Sequence, residues 1–252
     1  MSDNYKYSNQ DYIKELLAHD KTYHATVLSY IENNISKECK ILDFGCGTGN
    51  LIKILNDLGY SNSIGVDLDS DTIKSGRSSN FIENIYTLTE KKLLDNSFDL
   101  VLSYNVIEHV DNVDVFLNRL SELVSNEGVI FIVTPNYLDP KNYLSYIKSK
   151  VLKKEMHLKP FNDGGVVWLF GMLIKSVVLT VLKLMGLNKK LWLVTPLSPS
   201  VSLGGDADAT WVSNYLDISR LMKKRGFIDV KKVGILKKLS TNIYIGVRDK
   251  RC

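Results

Sequence analysis

Apolar residues follow a helical spacing near the start of the chain and then change to short runs typical of strands. Between residues 10 and 35 they lie three or four apart, which predicts one or two helices. Further along, apolar runs alternate with segments of helical spacing such as Asn112–Ser125, and this alternation predicts βαβ units and a parallel sheet. The runs are Ile41–Phe44, Ile64–Asp67, Phe81–Leu88, Phe98–Ser103 and Val129–Thr134.

The same order resumes near the C-terminus. Asn214 is placed to cap a helix that runs through Arg225, and Gly226 is placed to end it. Phe227–Ile235 and Thr241–Val247 read as two further strands. About seven strands result, so we expect an α/β fold with a doubly wound, mostly parallel sheet.

Composition and charge narrow the function classes. The chain has 252 residues, of which 44% are hydrophobic and 24% charged, as in ordinary globular proteins. The 32 Lys and Arg against 28 Asp and Glu give a net charge of +4, too little basicity to suggest a nucleic-acid partner. The three cysteines, Cys39, Cys46 and Cys252, have no C-x-x-C spacing, so neither a disulfide framework nor a structural zinc site is indicated. With a polar N-terminus, the chain is expected in the cytoplasm.

A glycine-rich loop follows the first strand, in Ile41-Leu-Asp-Phe-Gly-Cys-Gly-Thr-Gly-Asn50. Glycines allow the backbone to approach a ligand closely, and the helix that follows offers unpaired N–H groups to an anionic ligand group. The dinucleotide fingerprint G-x-G-x-x-G would need a third glycine where Asn50 stands, which weakens a nicotinamide interpretation. Asp67 ends the second strand, where a carboxylate can accept both hydroxyls of a ribose, and Leu68 could cover an adenine face. The alternative is a tight strand-helix turn and a solvated acid.

Three ordered motifs resemble those of the class I S-adenosylmethionine-dependent methyltransferases. They are ILDFGCGTGN, GVDLD at the second strand end, and Ser97-Phe-Asp-Leu-Val-Leu-Ser-Tyr-Asn-Val-Ile-Glu-His-Val110. The EHV segment and Thr134-Pro135-Asn136 most resemble the small-molecule group that includes ubiquinone-pathway O-methyltransferases and sugar and antibiotic tailoring enzymes. The resemblance implies a Rossmann-like methyltransferase fold and S-adenosylmethionine as the cofactor.

The resemblance also implies where the cofactor binds. Asp43, Gly45 and Gly47 would surround its methionine part, Asp67 would hold the ribose, and Asn105 would line the cleft beside the sulfonium. Family members commonly carry an acid at the third strand end, but Thr87 and Leu88 stand there, so a backbone carbonyl or the Thr87 hydroxyl would contact the adenine. The expected cofactor-binding set is Asp43, Gly45, Cys46, Gly47, Gly49, Asp67, Leu68, Thr87, Leu88 and Asn105.

The chemistry expected of this group needs a general base if the acceptor is a hydroxyl. His109, just after the fourth strand, is the candidate, with an orienting role in the loop as the alternative. Some ubiquinone-pathway relatives bind a divalent metal through E-x-x-E-H, but here Asn105 replaces the first acid, so no metal is expected. Tyr104, Asp206 and Asp208 are weaker candidates for the base. Tyr104, Glu108 and Trp211 are expected in the substrate pocket.

For three other groups of residues, a structural role is expected or is the alternative. Cys46 is read as a small residue of the loop, because no histidine in its sequence context would generate a thiolate. Trp168 and Trp192 could line a substrate site, although core packing is the alternative. The remaining histidines are expected on the surface or hydrogen-bonded in the core, namely His19, His24 and His157.

We therefore expect one methyltransferase domain over residues 1–252. N-terminal helices occupy 1–36, the cofactor-binding half 37–136, a helical insertion 137–201, and the last helix and two strands 202–252. The expected acceptor is a small molecule, a glycan or a lipid-linked compound, and the resemblance favours a hydroxyl oxygen over nitrogen or carbon. The alternatives are a catalytically silent cofactor-binding scaffold and a nicotinamide-dependent oxidoreductase.

The insertion combines lysines with a long apolar run between residues 141 and 190. A lysine in the middle of the run disfavours a transmembrane helix and favours one that lies in the interface. Under this interpretation Trp168, Leu169 and Phe170 enter the acyl boundary of an anionic membrane, and the chain binds peripherally to its inner face. A buried helical lid or a dimer contact is the alternative. The lysines expected to reach headgroups are Lys141, Lys148, Lys150, Lys153, Lys154, Lys159, Lys183, Lys189 and Lys190.

Overall fold

A computed structural model describes residues 10–91, 93, 95, 97–152, 165–195, 208–229 and 243–249. The chain forms two compact units. The first comprises residues 1–104, 118–132 and 247–252, and the second comprises residues 105–117 and 133–246.

Eight helices and seven strands are present in the described part of the chain. The strands are β1 (Ile41–Phe44), β2 (Ser63–Asp67), β3 (Ile85–Thr87), β4 (Phe98–Tyr104), β5 (Val124–Val133), β6 (Phe227–Asp229) and β7 (Ile243–Arg248). The helices are α1 (Gln10–Leu17), α2 (Ala25–Asn34), α3 (Asn50–Asp57), α4 (Ser70–Asn80), α5 (Val113–Leu123), α6 (Pro140–Val151), α7 (Val166–Leu184) and α8 (Tyr215–Lys223).

The strands form one seven-stranded sheet in the order β3-β2-β1-β4-β5-β7-β6. β1 pairs in parallel with both β2 and β4, and β2 pairs in parallel with β3. The predicted α/β fold with a doubly wound, mostly parallel sheet is therefore confirmed. The strand order reverses between β1 and β4, and ligands bind outside the carboxyl ends of strands at such a switch point.

The centre of the first unit is built from continuous apolar strands. Leu42 on β1, Val66 on β2 and Val101 on β4 are fully buried. Strands covered on both faces appear in the sequence as unbroken apolar runs. For this reason the predicted bounds of β1, β2 and β4 agree with the observed bounds to within one residue.

Two strand boundaries differ from the prediction. β3 is shorter than the predicted Phe81–Leu88, because Phe81 ends α4 in a left-handed conformation with φ of +53° and a side chain 91% exposed. β5 begins at Val124, inside the predicted helical segment, because α5 already ends at Leu123. Near the C-terminus, residues 230–235 and 241–242 of the two predicted strands lie outside the described residues.

The insertion contributes two helices to the second unit. Tyr143 and Ile147 on α6 pack with Leu169 and Met172 on α7, so Leu169 is buried and its predicted place in a membrane is wrong. Lys183 is also buried. Its Nζ lies 2.9 Å from Oδ2 of Asp217 on α8, so its predicted reach to headgroups is wrong as well. The predicted lysines Lys153, Lys154 and Lys159 lie outside the described residues.

Candidate active site

The glycine loop turns sharply from β1 into α3. Gly45, Gly47 and Gly49 have φ of +89°, +54° and +76°, a conformation that residues with a Cβ rarely adopt. Gly49 is the residue before α3, which begins at Asn50. The backbone N–H of Gly47 donates to Oδ2 of Asp67 over 2.8 Å. The loop and the end of β2 are thus joined directly.

Packing within the chain also requires small residues here. A Cβ on Gly49 would lie 2.7 Å from Cδ1 of Ile82 and 2.8 Å from Cγ2 of Ile85. A Cβ on Gly65 would lie 2.7 Å from Sγ of Cys46. Burial raises the pKa of the Cys46 thiol well above its ordinary value, so the thiol stays protonated. This supports the interpretation of Cys46 as a small loop residue.

Asp67 lies at the end of β2 with its carboxylate against the loop. Besides the Gly47 bond, its Oδ1 accepts from the backbone N–H of Asp69 over 3.1 Å. Burial raises the pKa of Asp67, and the N–H bonds from Asp69 and Gly47 oppose that shift. The next residue, Leu68, has its side chain 84% exposed. The predicted ribose and adenine contacts of these two residues remain predictions.

Asp43 is a buried acid in the middle of the sheet. It lies on β1 opposite Gly65 of β2 and Leu102 of β4, and it is 3% exposed. Burial, with a further contribution from the charge of Asp67, raises the pKa of Asp43 to about 7. A nearby positive charge would stabilise its ionised form, so this position favours a cationic ligand group.

A carboxylate is present at the end of β3 although residues 87 and 88 lack one. The backbone N–H of Thr87 donates to Oε2 of Glu90 over 2.8 Å, and Arg77 pairs with the same oxygen at 3.1 Å. The N–H of Leu88 donates to the carbonyl of Asp67 over 3.0 Å. Residues 87 and 88, at the end of β3, give no sign of an acid, because Glu90 lies three residues beyond the strand and its carboxylate turns back to the N–H of Thr87.

Asn50 holds the N-terminal helix against the glycine loop. Its Nδ2 donates to the carbonyl oxygens of Leu16, Leu17 and His19 at 2.8, 3.1 and 2.8 Å. A Cβ on Gly47 would lie 3.3 Å from Cδ1 of Leu16. The last carbonyls of a helix have no partners within it, and Asn50 supplies donors to those of α1. The residue that departs from the dinucleotide fingerprint thus has a structural role.

Aromatic residues surround the end of β4. The hydroxyl of Tyr104, a predicted pocket residue, donates to the carbonyl of Tyr23 over 3.2 Å. The centre of the His24 ring lies 5.5 Å from that of the Tyr104 ring. The ring of His19 stacks on that of Tyr23, with 3.6 Å between the ring centres. His24 is buried, and neither ring nitrogen has a hydrogen-bond partner among the described residues, so its predicted surface or hydrogen-bonded position is wrong. Burial lowers the pKa of His24 to about 4.

In the second unit, a single helical turn carries the predicted base. Asn105 precedes it with φ of +52°, and its N–H donates to the carbonyl of Val133 over 2.9 Å. The turn spans Ile107–His109. Glu108 is completely buried, and its Oε2 accepts from the Thr134 hydroxyl over 2.9 Å. Glu108 therefore supports the turn, and its place in the substrate pocket stays a prediction.

His109 is held by two acids. Its Nδ1 lies 2.7 Å from Oδ1 of Asp208, and its Nε2 lies 3.8 Å from Oε1 of Glu108. The His109 side chain is 16% exposed, whereas those of its partners are almost fully covered. The structure thus brings Asp208 to His109, while Asp206 lies outside the described residues.

The segment after Asp208 fixes the same turn from the other side. The N–H of Thr210 donates to the carbonyl of Glu108 over 2.7 Å. Trp211 is completely buried and its Nε1 donates to the carbonyl of Ile107 over 2.8 Å. Trp211 is a buried residue that positions the turn, and its place in the substrate pocket stays a prediction. Among the described residues, no group of three or more His, Cys, Asp or Glu side chains is placed to hold a metal ion.

Comparisons with known proteins identify the family of this chain. The methyltransferase domain family matches residues 4–170. The ubiquinone biosynthesis O-methyltransferase of Dictyostelium discoideum, a mitochondrial protein, is 36% identical over 148 residues, which are 51% of this chain and 43% of the relative. The ubiquinone biosynthesis O-methyltransferase of Pelagibacter ubique is 30% identical over 137 residues, 48% of this chain and 55% of the relative. The chain thus spans about half the length of these relatives.

A solved structure supports the fold over a longer stretch. The structure from Listeria monocytogenes, described as an S-adenosylmethionine-dependent methyltransferase, covers 90% of this chain and 99% of its own, with a TM-score of 0.52 and 12% identity. The chain belongs to the methyltransferase domain family, and its resemblance to the class I S-adenosylmethionine-dependent methyltransferases is confirmed.

Proposed function

We propose that this chain methylates a hydroxyl oxygen of a small-molecule acceptor, with S-adenosylmethionine as the methyl donor and His109 as the general base. The contact of 2.7 Å between Nδ1 of His109 and Oδ1 of Asp208 is the observation that carries the proposal. A hydroxyl acceptor must lose a proton, and a histidine oriented by a carboxylate is suited to accept it. Two relatives named as O-methyltransferases support the choice of oxygen.

The residues of the first unit fit the cofactor. S-adenosylmethionine supplies an activated methyl group together with an ammonium group, a carboxylate and a ribose. The buried Asp43 suits the ammonium group, since its pKa of about 7 falls when a cation binds nearby. Asp67, at the end of β2, would offer its carboxylate to the ribose hydroxyls, and the unpaired N–H groups at the start of α3 would suit a ligand carboxylate.

The surroundings of His109 select one tautomer. The carboxylate of Asp208, whose Oδ1 lies 2.7 Å from Nδ1, favours a proton on Nδ1, and Nε2 would then be the acceptor. Nε2 would take the proton of the acceptor hydroxyl, while a bound S-adenosylmethionine would supply the methyl group and leave as S-adenosylhomocysteine. The imidazolium that results is stabilised by Asp208 at 2.7 Å and by Glu108 at 3.8 Å. Asp208 and Glu108 are thus positioning residues.

Labelled methyl transfer tests the proposal. The chain is incubated with cofactor labelled in its methyl group and with a cell extract, and the products are separated into lipid, small-molecule, protein and nucleic-acid fractions. We expect the label in a small molecule or lipid, as an ether that resists mild hydrolysis. Label on protein or nucleic acid would contradict the acceptor class. Cofactor binding without any transfer would favour a silent scaffold.

A further inference from the structure

We propose that the exposed face of α7 binds the surface of an anionic lipid bilayer, with the helix lying in the plane of the interface. This inference is independent of the acceptor of the methyl group. α7 is long and apolar enough to cross a membrane by length and composition alone. Its contacts within the second unit and the pattern of its exposed residues favour a different placement.

One face of α7 is covered by the protein. Leu169, Met172, Ser176 and Thr180 recur every three or four residues and are all buried. The Ser176 hydroxyl donates to the carbonyl of Leu138 over 2.6 Å. The buried pair between Lys183 and Asp217 fixes the C-terminal end of the helix. A helix held along one side in this way cannot be surrounded by lipid, so it does not span the bilayer.

The opposite face of α7 is apolar and exposed. The 19 residues extend over roughly 28 Å at 1.5 Å per residue. The exposed apolar side chains recur with a period of three or four, and Lys175 is the one exposed charged residue within α7. We call this set the α7 face; its members are Val167, Phe170, Ile174, Val177, Val178, Val181 and Met185. Contiguous apolar surface of this kind marks an interaction site.

The charges in the described part of the insertion are mostly positive. In residues 137–152 and 165–195, Asp139 is the one acidic residue, and its Oδ1 accepts from the backbone N–H of Lys141 at the start of α6. Exposed lysines lie on α6 and after α7, namely Lys141, Lys148, Lys189 and Lys190. The Nζ of Lys175, in the middle of α7, lies 3.9 Å from the centre of the Trp192 ring. An apolar face in a segment whose charges are mostly lysines complements an anionic bilayer, because lysines can reach headgroups while the α7 face enters the acyl boundary.

Vesicle flotation tests this inference with the whole chain. We use vesicles of phosphatidylcholine alone and of phosphatidylcholine mixed with phosphatidylglycerol. Binding is expected to the mixed vesicles, to weaken as salt is added, and to be slight with phosphatidylcholine alone. Exchange of Lys189 and Lys190 for Glu should lower the partition coefficient at least about twenty-fold, since each basic residue near the surface is worth about fivefold.

Two exposed apolar substitutions test the α7 face itself. Ile174→Gln with Val178→Gln should weaken binding to mixed vesicles more than tenfold and leave the unfolding midpoint unchanged, because both side chains are exposed in the chain. The matched controls are Val115→Gln, whose side chain is 63% exposed on α5, and the pair Lys74→Glu with Lys224→Glu. These should bind as the parent does.

The same preparations are examined by light scattering for self-association. If the chain stays out of the vesicle fraction at low salt, or if the α7 variants bind normally, the inference is overturned. A dimer that dissociates in Ile174→Gln with Val178→Gln, without vesicle binding, would assign the face to a second copy of the chain. Loss of methyl transfer with intact vesicle binding leaves the inference standing.

Discussion

The side-chain amide of Asn50 donates to the carbonyl oxygen of Leu16 over 2.8 Å. The two residues belong to the start of α3 and the last turn of α1, and 34 positions of sequence separate them. This bond, with those to Leu17 and His19, makes the N-terminal helix part of the glycine-loop structure. Position 50 is where a dinucleotide fingerprint has glycine, so one substitution both departs from that fingerprint and anchors a helix.

Asn50→Asp should release α1. The carboxylate keeps the size of the amide and its acceptor for the Asn80 amide, but it replaces the donor with a negative charge that faces three carbonyl oxygens. Lost hydrogen bonds and repulsion should cost about 1–3 kcal/mol in the free energy of unfolding. Hydrogen exchange in residues 10–19 should accelerate. Asn33→Asp, on an exposed position of α2, is the control, and equal exchange in the two variants would contradict the anchoring role.

Cofactor affinity should depend on the ionisation of Asp43. In the unliganded protein its pKa is about 7, whereas a bound cation favours the carboxylate, so affinity should rise as pH increases from 5.5 and level off above 7. Calorimetry in buffers of different ionisation enthalpy should detect proton release on binding below pH 7. Asp43→Asn should bind weakly and without this pH dependence, and Asp57→Asn, an exposed control, should behave as the parent. A flat profile in the parent would refute the assignment.

The raised pKa of Asp43 also affects the unliganded fold. Because the folded value of about 7 exceeds the ordinary value of 3.8, the protonated acid stabilises the fold below pH 3.8, and this contribution is lost as pH rises through 7. Cofactor should therefore raise the melting temperature more at pH 8 than at pH 5.5.

His109→Gln should lower kcat by about 10²–10⁴-fold, the range for loss of a general base, and leave cofactor affinity unchanged. Asp208→Asn should also lower kcat, because an amide no longer places a negative charge 2.7 Å from Nδ1 to stabilise the imidazolium, and it should displace the pH–rate profile. Asp111→Asn, on an exposed residue after the same turn, is the control. Near-normal turnover of His109→Gln between pH 6 and 9 would leave His109 an orienting role.

Local patterns were sufficient to predict the cofactor half of the fold. β1, the glycine loop and Asp67 are defined by residues close together in sequence, where apolar runs and glycine conformations determine the structure. The partnership of His109 and Asp208 joins positions 99 apart (208 − 109), so the sequence could suggest both residues but not their contact.

Two other contacts of the second unit could not be predicted for the same reason. An aromatic side chain such as Trp211 suits a pocket and a core equally, and only the fold shows that its indole supports Ile107. Lys183 follows an apolar run, as a lysine near headgroups would, but Asp217 on α8 pairs with it inside the protein. Buried partners that come from distant elements leave no periodic signal in the sequence.

His24 should make the fold sensitive to acid. Its folded pKa is about 4 and its ordinary value is 6.5, so the neutral ring contributes stability above pH 6.5 that is lost as pH falls through 4. At 1.36 kcal/mol per unit, this loss amounts to about 3 kcal/mol between those values. His24→Phe keeps an aromatic ring among Tyr23 and Tyr104 and removes the two buried nitrogens.

Urea denaturation at pH 4.5 and at pH 7 measures how much stability the parent and His24→Phe each lose on acidification. The parent should lose about 2–3 kcal/mol more of its free energy of unfolding on acidification than His24→Phe. In the parent, protonation of His24 in the unfolded state favours unfolding, and the variant has no imidazole there to protonate. At pH 7 the variant should be at least as stable as the parent, because a buried polar group without a partner costs free energy. His19→Phe, which changes a half-buried ring beside the same tyrosine, serves as the control. Identical pH dependence in the parent and in His24→Phe would show that the ring of His24 is not the acid-sensitive group.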